Sequence, residues 1–135
     1  MRTKLSLAVI AIGVLLPNGT TIAHHAFSAE FDVDRPLHLE GTVTRTEWIN
    51  PHSWIHVDAR GADGDVVSWA IECGAPNSLI RRGLNKNSIP VGTELVIDGF
   101  GAKDGSNTAN ARDITLPDGS TFFVGSSGTG APDRR

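Results

Sequence analysis

Apolar and polar residues alternate with a period of two through most of this chain, which is the pattern of half-buried strands. From Leu37 to Trp48, Leu39, Gly41 and Val43 fall on one face and Thr42, Thr44 and Thr46 on the other. Gly41 inside that run predicts a bend or bulge. Asn50-Pro51 breaks the run. From Ser53 to Ala59, Ile55, Val57 and Ala59 alternate with Trp54, His56 and Asp58. Gly61-Ala62-Asp63-Gly64 reads as a hairpin turn, followed by Val66 to Glu72 with Val67, Trp69 and Ile71 on one face.

The pattern then changes once. Residues 76–82 predict a short helix, with Pro76 in its first turn and Gly83 ending it. Strands resume over Thr93 to Phe100 and Ala109 to Leu116. Pro117-Asp118-Gly119 makes a turn before a closing strand over Thr121 to Val124. Three strands, one helix and two strands is the order of an OB-fold, so the expected fold is mainly β, a small five-stranded barrel over residues 37–124. An immunoglobulin-like sandwich is the rival, but it calls for about seven strands and no central helix. Residues 24–36 form an N-terminal histidine-containing segment, and the Gly/Ser-rich residues 125–135 are expected to be a disordered tail.

The apolar run at the start is of another kind. Arg2 and Lys4 precede Leu5 to Leu16, and Thr21-Ile22-Ala23 supplies a small-residue cleavage site, so residues 1–23 read as a signal peptide. The run is about a dozen residues, short of the roughly 20 that span a bilayer. The expected protein is therefore periplasmic or secreted, with no stable membrane anchor after cleavage. With Arg2 and Lys4 removed, ten basic residues face fifteen acidic ones, a net charge of −5. That balance argues against nucleic acid as a partner. Cys73 is the single cysteine, which excludes an intrachain disulfide and a cysteine zinc site.

Several runs together resemble a family of small exported bacterial proteins catalogued as domain of unknown function 6152. They are His24-His25-Ala26-Phe27-Ser28-Ala29-Glu30-Phe31-Asp32, Glu40-Gly41-Thr42-Val43 and Trp48-Ile49-Asn50-Pro51-His52-Ser53-Trp54. Pro76-Asn77-Ser78-Leu79, Arg82-Gly83 and Lys103-Asp104-Gly105-Ser106-Asn107 complete them. The resemblance implies export and a compact β-rich fold. It implies no activity.

Candidate chemistry centres on histidine. Cleavage after Ala23 makes His24 the first residue, so its free α-amine and its ring offer two nitrogens to one ion. Copper(II) favours such ligands in a roughly square arrangement. His52, on the rigid break after Pro51, is the best candidate to close the site, with His25 the weaker candidate. His56 is four residues from His52, roughly 13 Å away in an extended chain, too far to share its ion unless the loop folds back. Trp54 and His56, on the polar face of their strand, form a second candidate surface for an envelope oligosaccharide, small molecule or protein. No Gly-x-Ser-x-Gly elbow or other nucleophile motif occurs. The chain thus reads as a binding module more than an enzyme, with copper as its candidate cofactor. A copper-dependent redox activity is the third reading, requiring an open coordination position.

Overall fold

The computed structural model describes residues 27–126, 128 and 129. The signal sequence expected at 1–23, and His24 and His25, lie outside the described residues. Six strands and one short helix follow a helical turn at residues 27–30: β1 (Phe31–Glu47), β2 (Trp54–Arg60), β3 (Val66–Glu72), α1 (Pro76–Arg81), β4 (Glu94–Ala102), β5 (Thr108–Thr115) and β6 (Thr121–Phe123). The mainly β expectation holds, and each predicted strand is present. No helix among the described residues is long and apolar enough to cross a membrane.

The sheet runs β3-β2-β1-β4-β5-β6, and a further pairing of β3 with β5 joins β1 to β5 into a ring. Neighbours are antiparallel except β3 and β5, which run parallel. The alternating apolar residues face inward. Val43, Ile55, Val57, Ile71, Leu95, Ile97 and Ile114 form the buried core, with Leu79 of α1 and the following Leu84 and Ile89 packed among them. Burial of each large aliphatic side chain contributes roughly 1.5–3 kcal/mol.

β1 departs from the sequence reading in two ways. It begins at Phe31 instead of Leu37, so residues 31–36 belong to the sheet. It also carries a bulge at Thr44: Val43 faces Val57 but Arg45 faces His56. The extra residue shifts the alternation by one, because side-chain parity follows register. Thr46, expected on the polar face, therefore lies opposite buried Ile55, while Arg45 and Glu47 join His56 and Trp54 on the outer face.

Candidate functional site

Cross-strand partners share a face, so the register places side chains in rows. One outer row runs around the ring: Phe100 on β4 pairs with Asn110 on β5, Asn110 with Glu72 on β3, Glu72 with Trp54 on β2, and Trp54 with Glu47 on β1. His52 stands at the end of the β1–β2 connection, after a cis Asn50-Pro51 bond. The backbone of the next residue is fixed to β3 and its continuation. Ser53 N donates to the Gly74 carbonyl at 3.1 Å, and Cys73 N donates to the Ser53 carbonyl at 2.8 Å, extending the β2–β3 ladder past Trp54.

The imidazole of His52 then meets Glu72. Its Nδ1 lies 3.0 Å from Glu72 Oε1. The same oxygen accepts a hydrogen bond from Asn110 Nδ2 at 3.1 Å, and Thr129 Oγ1 donates to Asn110 Oδ1 at 3.0 Å. Glu72 is 6% exposed, Asn110 0% and Thr129 4%. Three buried polar side chains thus run in series to one ring that is 35% exposed. Burial pushes the Glu72 carboxyl above the usual glutamate range. The adjoining His52 imidazole pulls it back, and the nearby Glu30 carboxylate adds to the rise.

A second imidazole–carboxylate pair sits on the other side of Trp54. His56 Nε2 lies 2.8 Å from Glu47 Oε1, which is also ion-paired with the Arg45 guanidinium at 2.7 Å. Trp54 itself is half-buried between Glu47 and Glu72. His52 and His56 are thus paired with different carboxylates, on opposite flanks of Trp54. His38 is elsewhere, paired with Asp98 at 2.7 Å.

The N-terminal segment is anchored close to the Glu72 row. The Phe27 ring packs edge-on against Phe100 at 5.8 Å and against Phe31 at 5.7 Å. Lys103 holds the same turn, donating Nζ to the Ser28 carbonyl at 2.6 Å and its backbone N to the Glu30 carbonyl at 2.9 Å. Phe100 is two strands from Glu72, about 10 Å at the usual strand spacing. Among the described residues, no group of three His, Cys, Asp or Glu side chains converges as a metal site.

A family model matches residues 13–111. The chain belongs to DUF6152, a family of unknown function. The matched region carries His24, His25, His52, Trp54, His56, Glu72 and Asn110. In this DUF6152 protein, Thr129 lies beyond the match. No curated protein matches the chain.

Sequence reading named His52 but missed the side chains behind it. Glu72 falls at the end of a strand, where nothing in the pattern distinguishes it from the solvated or hydrogen-bonded carboxylates that most glutamates are. Asn110 drew no attention, although Ala109 and Ala111 on either side mark a tightly packed strand; all three are fully buried. Thr129 fell in the stretch expected as a disordered tail, yet it is packed on Asn110.

Proposed function

We propose that this protein is an exported OB-type binding module whose ligand is a copper-class ion, held by the processed N-terminus together with His52. The observation that carries this reading is the anchoring of Phe27 beside the Glu72 row. His24 is three positions before Phe27, a reach of up to about 10 Å in extended chain. The chain that carries His24 thus starts from an anchor on the same row of the sheet that leads to Glu72 and His52. The donor set fits copper chemistry: one amine and two or three imidazoles are nitrogen ligands of the class Cu(II) takes. His52 supplies a single ring among the described residues, so the site depends on residue 24, with His25 as the auxiliary ligand.

The OB assignment is supported by the strand order β1-β2-β3-β5-β4, the parallel β3–β5 closure and the helix between β3 and β4. In that fold the β1–β2 connection, where His52 sits, is one of the ligand-binding loops. Export is supported by the Thr21-Ile22-Ala23 cleavage pattern.

The test compares protein beginning at His24 with the same chain carrying one extra N-terminal residue. The extension turns the amine into an amide and leaves every ring in place. Calorimetric titration with Cu(II) should give one ion per chain for the processed form and at least about tenfold weaker binding, 1.4 kcal/mol, for the extended form. His52→Ala should weaken the processed form, and His25→Ala should do so less. Equal affinities for the two termini would remove the chelate. The half-buried Trp54 between two carboxylates would then favour the second reading, a metal-free module that binds an envelope molecule at the Trp54 and His56 surface.

A further inference from the structure

We propose that Glu72, itself held by Asn110 and Thr129, is the positioning residue that makes His52 a ligand. The inference rests on the copper reading above, and its test separates the two. An ionised carboxylate can only accept hydrogen bonds. Glu72 Oε1, 3.0 Å from Nδ1, favours the tautomer with the ring hydrogen on Nδ1. The lone pair is then on Nε2, for which the described residues provide no hydrogen-bond partner. Which ring nitrogen is free to coordinate is set by the bond the other one makes. A carboxylate behind the ring fixes its orientation and also makes the free nitrogen a stronger donor.

Glu72 is an unusual choice for a purely structural residue. A buried carboxylate is costly unless paired. An apolar side chain at the same position of β3 would avoid that cost. Instead the fold supplies two further buried polar groups to keep the carboxylate in place, Asn110 on β5 and Thr129 beyond β6. Every member of this series is less than a tenth exposed until His52 is reached. The arrangement is one-directional: it leads to a single imidazole that is 35% exposed.

Two variants separate orientation from charge. Glu72→Gln keeps a carbonyl oxygen that can accept from Nδ1 and from Asn110 but removes the charge. Glu72→Met removes both. In the metal-free protein, ring nitrogen shifts of His52 should report hydrogen on Nδ1 in the parent and in Glu72→Gln, and a mixture of tautomers in Glu72→Met. In Cu(II) titrations of the processed chain, Glu72→Gln should bind about 10-fold more weakly and Glu72→Met up to about 100-fold, the range seen for partners behind metal-ligating histidines. Both losses should vanish in a His52→Ala background, because a residue that acts through another shows no effect once that one is gone. Near-unchanged melting of Glu72→Gln keeps the comparison clear of unfolding if the Met variant fails to fold. Parent-like affinity of Glu72→Gln and Glu72→Met, with His52→Ala still weakened, would overturn the role of Glu72 and leave the copper reading standing. A loss that persists in the His52→Ala background would also overturn it. An unchanged affinity on His52→Ala alone would overturn the copper reading instead.

Discussion

Gly99 offers a sharp test of how the site is held. It lies on β4 beside the β5 bulge, where Asp98 faces Asp113 but Gly99 faces Ala111. A Cβ at position 99 would land 2.2 Å from the Asn110 carbonyl oxygen and 3.0 Å from Ala111 Cα. A carbon–oxygen contact settles at about 3.3 Å, so the two strands must part by roughly 1 Å. Both obstacles are backbone, so no rotamer change relieves them. Overpacking of this kind costs about 1–3 kcal/mol, and the backbone clash places it at the upper end. Replacing glycine by alanine also restricts the unfolded chain, a gain of roughly 0.4–1 kcal/mol. The clash wins by about 2 kcal/mol. For a domain of this size that lowers the melting temperature by roughly 8–16 °C. Gly41→Ala is the comparison: its nearest contacts are at 3.1 Å, including the Val57 side chain, and its loss should be smaller. Thermal and urea unfolding of both variants measure the effect. A Gly99→Ala protein that melts with the parent, or above Gly41→Ala, would refute the packing argument.

Two further outcomes follow from the titratable groups. The hydrogen bond from His38 to Asp98, and then the Asp98 charge, raise the His38 pKa. The stabilisation is therefore fully present below the ordinary histidine value and is lost as pH rises through the higher folded value. Proton titration followed by NMR should place His38 above 6.5, and Asp98→Asn should bring it down. Burial and then the Glu72 charge push the Cys73 thiol up, and its side chain is 0% exposed. A thiol reagent should leave the native protein unmodified and label one thiol after unfolding; prompt labelling of native protein would contradict this burial.

The strand order was legible because apolar alternation and turn residues report local structure directly. Ile55, Val57 and Ile71 were placed on the right face by period alone. The bulge at Thr44 was not, because an extra residue leaves no mark in a run of threonines and charges. Gly41 was read as the irregular position, yet the register slips three residues later. His52 was legible as a ligand candidate from the proline before it. Its support was not: Glu72, Asn110 and Thr129 are brought together by the β3–β5 pairing and by chain beyond β6. Such contacts depend on closure of the ring, and no local pattern encodes them.

The parallel pairing of β3 with β5 has a consequence in time as well as in space. Glu72 and Asn110 are 38 positions apart along the chain. Pairings of that span carry a large loop-closure cost and form slowly. The hairpins β2–β3 and β4–β5 can each form from neighbouring sequence, but neither contains the complete support for His52. That support exists only once the last seam is shut. A ligand that takes His52 in this arrangement would therefore select finished molecules and, by mass action, hold the seam closed. Occupancy of the site and completion of folding would be one equilibrium, so a half-folded chain would carry the same histidine and lack the buried carboxylate that orients it.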